Sequence, residues 1–145
     1  MIVRDDLHAT APAIDEDSAW WWESLRLDAP RFPRCRGCGR TFFPPMNSCP
    51  HCGGNDLERV RVSGLGHLHS WVVSHNAAES TFKGDVPYAV VAVELEEGPR
   101  VLGRWLGDLG GLRDCAPATL TPYRVGDIVL PGFSPGAGER ADRGG

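Results

Sequence analysis

This 145-residue chain has no excess of basic charge, no long apolar run and no familiar catalytic signature. Lysine and arginine number 15 against 19 aspartates and glutamates, a net charge of −4. A nucleic-acid binder needs a basic footprint to collect phosphates, so that class is disfavoured. The most apolar stretch, residues 86–95, is far short of the roughly 20 residues that span a bilayer. Met1-Ile2-Val3-Arg4-Asp5-Asp6 turns acidic at once and holds no apolar signal region. These two absences predict no membrane association and a cytoplasmic protein. No Gly-Xaa-Ser-Xaa-Gly elbow, phosphate loop or dinucleotide glycine motif occurs, which leaves hydrolase, nucleotidase and dehydrogenase chemistry without a starting residue. Cysteine is scarce, and four of the five are spaced in pairs with one left over. That is not the arithmetic of a secreted disulfide framework.

Glycine (18) and proline (12) are abundant. They make up about a fifth of the chain, against a usual share of roughly 12%. Long helices are therefore disfavoured and short strands with tight turns are expected. An apolar fraction of 41% excludes global disorder.

Four stretches follow in order. Residues 1–13 read as a loose leader. Asp15-Glu16-Asp17-Ser18 before Ala19-Trp20-Trp21-Trp22-Glu23-Ser24-Leu25-Arg26 reads as a capped helix over 15–26. Three consecutive tryptophans sweep about 200° of a helix, so one face cannot bury all three. Either the helix lies in a deep groove, or part of it meets another chain; a helix packed on its own domain with one ring half exposed is the plainer alternative. Strand-like alternation appears at 57–63, 66–75, 87–97, 100–106, 120–125 and 128–133, with Glu97-Gly98-Pro99 and Gly126-Asp127 as turns. Five or six short strands without room for crossover helices suggest an antiparallel barrel of OB-fold size. The expected organisation is a leader and helix at 1–30, a cysteine module at 31–60, a barrel at 61–133 and a disordered tail at 134–145.

The strongest signal is Cys35-Arg36-Gly37-Cys38-Gly39 with Cys49-Pro50-His51-Cys52-Gly53. Two residues between thiolates let one tight turn present both sulfurs to one ion, and the following glycine tolerates positive φ. Two such turns facing each other make a closed tetrahedral S4 site, structural because no position stays open for water. Zinc suits it; iron in a rubredoxin-like site is the alternative. Cys35, Cys38, Cys49 and Cys52 are the expected ligands, and His51 a surface residue.

Around this module stand seven arginines against three acids, between positions 26 and 61. Compensation of the anionic metal–thiolate centre explains the excess. Alternatively Arg34, Arg36 and Arg40 hold an anion such as the phosphates of a coenzyme A ester. His67, His69 and His75 share parity on one expected strand and would point to one face. No carboxylate at a matching position completes a second metal site. Cys115 is a lone thiol with no base assigned to it.

In their order, these pieces resemble the acyl-CoA-associated zinc-ribbon and OB-fold proteins, from Asp17 to Phe133. The residues that carry the likeness are the tryptophan helix, Phe32-Pro33-Arg34-Cys35, Phe42-Phe43-Pro44-Pro45 and the two cysteine turns. Val62-Ser63-Gly64-Leu65-Gly66, Ser70-Trp71-Val72-Val73-Ser74-His75 and the run from Pro87 to Arg100 complete it. The resemblance implies a mainly β fold: an N-terminal helix, a rubredoxin-like zinc ribbon and a five- to six-stranded antiparallel OB-fold barrel. It implies a non-catalytic subunit that binds a thiolase-fold enzyme: a thiolase, a lipid-transfer-protein-like aldolase or an acyltransferase. A hot-dog-fold enoyl-CoA hydratase is a further partner class. Trp20, Trp21, Trp22 and Leu25 would then belong to the docking helix. Two other readings stand beside it: a stand-alone acyl-CoA-binding module, and a nucleic-acid module, which the acidic barrel half places last.

Overall fold

The computed structural model describes residues 1–76 and 82–136. The chain runs β1 (Ile2–Val3), α1 (Ala19–Arg26), β2 (Arg31–Cys35), β3 (Leu57–Arg61), β4 (Leu65–Ser74), β5 (Tyr88–Leu95) and β6 (Arg100–Trp105). A 3-10 turn (Leu109–Gly111), β7 (Pro117–Leu120), β8 (Tyr123–Val125), β9 (Ile128–Leu130) and β10 (Gly132–Pro135) follow. The fold is mainly β, as expected: one short helix, a cysteine module and a closed five-stranded barrel in the order β10-β6-β5-β4-β7.

Strict alternation builds the barrel. Ala89, Val91, Val93 and Leu95 of β5 point inward and are buried, joined by Leu68, Val101, Ala118 and Phe133 from the other four strands. Period-two burial is what a sheet with one dry face requires. The expected antiparallel barrel has one parallel joint, β10 against β6, with Gly132 opposite Arg104 and Phe133 opposite Trp105. The strand expected at 57–63 does not enter the barrel. As β3 it pairs antiparallel with β2 inside the cysteine module.

The expected strands at 120–125 and 128–133 are each broken in two. Pro122 separates β7 from β8, and Pro131 separates β9 from β10. Proline has no N–H for the ladder, so the chain changes sheets there. The barrel reaches Pro135, two residues into the stretch expected as a tail; residues 137–145 lie outside the described residues.

The leader is not loose. β1 lies parallel to β8, extending a three-stranded sheet β1-β8-β9. The Arg4 N–H donates to the Arg124 carbonyl at 2.8 Å, and the Gly126 N–H to Asp5 Oδ1 at 3.0 Å. β8 had an unpaired edge, and two apolar residues sufficed to cover it. The helix begins at Ala19, a turn later than expected. Ser18 stands at the N-cap without the expected side-chain cap; Asp15 closes the turn before it, its Oδ1 accepting from the Ser18 N–H at 2.8 Å. Among the described residues no helix is long and apolar enough to cross a membrane.

Candidate functional site

β2 delivers Cys35 to the first cysteine turn, and the chain returns through the second into β3. The turns are built alike. The Gly39 N–H donates to the Cys35 carbonyl at 2.7 Å and the Gly53 N–H to the Cys49 carbonyl at 2.8 Å. Both glycines sit at positive φ, +79° and +77°, which a side chain would strain. Cys35 and Cys52 sulfurs lie 3.6 Å apart, as do those of Cys38 and Cys49. All four ligand atoms fall within 4.8 Å of one another. Disulfides need about 2.05 Å, so these pairs are thiols. A tetrahedron with metal–sulfur bonds of about 2.3 Å has sulfur–sulfur edges of roughly 3.8 Å. The donor set and spacing therefore fit a structural metal ion.

The surroundings of the thiols differ. At Cys49 burial pushes the thiol up, but the N–H groups of Cys52 and His51 outweigh it and hold the group at about 7. At Cys52 the Gly54 N–H acts downward, while the crowding sulfurs of Cys35, Cys49 and Cys38 carry it up to about 11. Four thiols this close ionise together only with a cation among them. Cys35 and Cys49 are buried and Cys38 and Cys52 exposed.

The helix residues divide. Trp21 and Leu25 are buried, at 1% and 0% exposure. Trp21 meets Phe32 edge-on at 6.0 Å and Phe43 at 5.2 Å. These two residues hold the helix to the chain's own core and present nothing to a partner. Trp20 and Trp22 are half-buried. The Arg59 guanidinium lies 4.6 Å over the Trp20 ring. Trp22 lines an open apolar cavity of about 360 Å3 together with Phe82, Tyr88, Val90, Leu102 and Tyr123.

The arginines singled out in the sequence are already engaged. Arg34 lies 3.9 Å from Glu58, Arg36 lies 3.2 Å from Asp56 and 3.9 Å from Glu58, and Arg40 meets the His51 ring at 3.0 Å. Arg34 and Arg36 therefore share two acids rather than converging on an open anion site. The three histidines do not share a face. Leu68 pairs with Val93 and Ser70 with Ala92, so His69 is the extra residue of a β-bulge, which reverses parity beyond it. His67 lies 3.8 Å from Glu94 on the neighbouring strand. His75 stands past the end of β4, and Cys115 is exposed. Among the described residues no Ser, Thr or Cys side chain bonds a histidine ring.

One cluster had not been foreseen. Asp85, 2% exposed, accepts from Arg104 Nη1 and from the His8 backbone N–H, both at 2.9 Å, and lies 2.6 Å from His8 Nδ1. Burial pushes its carboxyl up, but the bonds from His8 and Arg104 prevail and hold it below the ordinary value. Arg104, set beside Trp105 at the end of the apolar run that starts at Val101, was the available sign.

Residues 31–58 match the family model for the rubredoxin-like zinc ribbon domain of ChsH2, and residues 59–134 that for its C-terminal OB-fold domain. A probable enoyl-CoA hydratase alpha subunit from Thermomonospora curvata is 36% identical over 86% of this chain and 39% of its own length. A DUF35 domain-containing scaffold protein from Methanothermobacter thermautotrophicus is 38% identical over 66% of this chain and 65% of its own. The benzoylsuccinyl-CoA thiolase subunit BbsA of Thauera aromatica is 31% identical over 65% and 63%. Among solved structures, a chain of the Ltp2-ChsH2(DUF35) aldolase superposes with a TM-score of 0.75 at 32% identity, over 86% of this chain and 98% of that one. The chain thus spans between about two fifths and two thirds of the length of these curated relatives.

Proposed function

The chain belongs to the ChsH2 family of rubredoxin-like zinc ribbons joined to OB-folds, and from that premise we propose that it is a non-catalytic subunit of an enzyme acting on acyl-CoA substrates. Its partner is a thiolase-fold enzyme of thiolase, aldolase or acyltransferase type, whose stability or activity it supports. The observation that carries this reading is a divergence of reaction on a shared part. The similar proteins are named for a hydratase, a thiolase and an aldolase. A module common to three reactions is not where those reactions differ, so its role is to hold or position. Another relative is named a scaffold protein. The closed four-sulfur cluster supports the same view, because four protein ligands leave no open position for water or substrate.

Cys35, Cys38, Cys49 and Cys52 would hold Zn2+, which supplies folding energy to the ribbon. Iron suits the same donor set, and metal analysis separates the two. Trp20 and Trp22 are the helix residues left for partner contact. The reduced, metal-spaced cysteines favour the cytoplasm. A hot-dog-fold hydratase is the second partner class, given the relative named for that reaction.

Co-expression with a thiolase-like protein, one encoded beside this chain if there is one, tests the reading. The expected result is a shared peak in size-exclusion chromatography and turnover that depends on this chain. Separate peaks with unchanged turnover would sink it. The apolar cavity, about 360 Å3 and within the size range of ligand pockets, favours the second reading of an acyl-CoA-binding module. Calorimetric heat on titrating an acyl-CoA into the isolated chain, without complex formation, would decide for that alternative.

A further inference from the structure

We propose that Trp20, Arg31, Arg59 and Arg61 form a docking face for a carboxylate-rich surface of a partner protein. The identity of that partner rests on the function proposed above; the chemistry of the face does not. The β2–β3 register sets Arg31 directly opposite Arg61 and places Arg59 opposite Pro33. The three arginines therefore share one side of a two-stranded ribbon, with cross-strand Cβ atoms about 5 Å apart. Like charges directly opposite destabilise a sheet. Among the described residues, none of the three has a carboxylate within 4.0 Å. Elsewhere several arginines are paired with acids, Arg36 with Asp56, Arg100 with Glu94 and Arg104 with Asp85, while Arg40 meets only the His51 ring. Among the described residues, three guanidinium groups thus stand together without a carboxylate partner, and the direct Arg31–Arg61 pairing costs the ribbon stability.

Arg59 stacks over the half-buried Trp20 ring. Stacking fixes the plane of the guanidinium and leaves its N–H edge free for a bidentate carboxylate. Between α1 and β2 a shallow cavity of about 260 Å3 opens beside these residues, with Leu27, 69% exposed, on its rim. Glu23 also borders it, but leans towards Arg26 at 3.9 Å. Tryptophan and arginine around a shallow apolar depression are the composition of a protein-interface hot spot. The net charge of −4 disfavours a nucleic acid, and charge complementarity selects an acidic protein surface.

The test uses the full chain and a synthetic hexaglutamate peptide, followed by calorimetry, with inorganic phosphate as a second arm. The peptide is expected to bind saturably and more weakly as ionic strength rises. Arg31→Ala/Arg61→Ala should weaken it by at least about tenfold, or 1.4 kcal/mol. Arg100→Ala should leave it unchanged. The melting temperature of the double variant should hold or rise, since a like-charge contact is relieved. No saturable binding would overturn the proposal, as would binding that survives the double substitution. So would a fall in melting temperature, which marks the arginines as structural, or phosphate binding as tight with the same loss. Failed co-purification with peptide binding intact counts against the partner assignment alone. Failed peptide binding with co-purification intact counts against this face alone.

Discussion

Three adjacent tryptophans of α1 meet three environments, and their substitution should separate accordingly. Trp21 is sealed among Phe32, Phe43 and Trp22, so Trp21→Ala leaves a cavity that the aromatic cluster cannot refill. A loss of about 3–5 kcal/mol in urea unfolding is expected. Trp22→Ala, at the wall of an open cavity, should cost about 1 kcal/mol. Equal losses would contradict the burial pattern. The sequence predicted that one helix face could not hold all three rings. It could not tell which ring turned inward, because the phase of a two-turn helix is set by what it packs against. The cysteines were legible to the residue, since two-residue spacing with a following glycine is a local constraint. The arginines were not. Whether Arg34 or Arg31 keeps its charge free depends on which acids the β2–β3 register brings opposite, and Glu58 falls opposite Arg34.

At the scale of elements, the ribbon and the barrel draw on different sources of stability. The barrel has the larger core, centred on Val91, Val93, Val101 and Phe133, each fully buried, and Trp21 and Leu25 of α1 and Phe32 of β2 join it. The ribbon's separate cluster is small: Cys35, Phe42 and Cys49, with Leu57 against it. Chelation of the metal should therefore melt the ribbon while the barrel stays folded. Backbone amides of β2 and β3 should lose hydrogen-exchange protection, and those of β5 and β6 should keep it. Cys49→Ser should reproduce the pattern. Simultaneous loss in both modules would show that α1, which packs on β2 and β9, couples them into one unit. The strands of the barrel were readable from alternation. Their ends were misjudged at Pro122 and Pro131, where a missing N–H outweighs hydrophobic pattern. The bulge at His69 left no mark on the alternation of its neighbours, so three histidines of one parity were wrongly given one face.

Across the whole molecule, the Asp85 cluster ties leader, loop and barrel together through His8 and Arg104. Its folded carboxyl titrates below the ordinary value of 3.8. The cluster's stability is therefore complete above that value and is lost as the pH falls through the lower, folded one. Asp85→Asn should flatten this acid limb in pH-dependent unfolding. It should also cost about 3 kcal/mol at neutral pH, because Arg104, 10% exposed, loses its ion pair and keeps only the Tyr88 ring beneath it. An unchanged acid limb would show that the carboxyl does not hold these segments. The sequence by itself determined the sulfur cluster, the mainly β class and the crowding of tryptophan on one short helix, because each follows from composition or from local spacings, the longest the 17 positions from Cys35 to Cys52. Only the tertiary structure decided the parallel joint that closes the barrel, the pinning of residues 2–8, and which arginines stay unpaired. Each of those turns on partners far apart in the chain, where register and burial, not local pattern, select the contact.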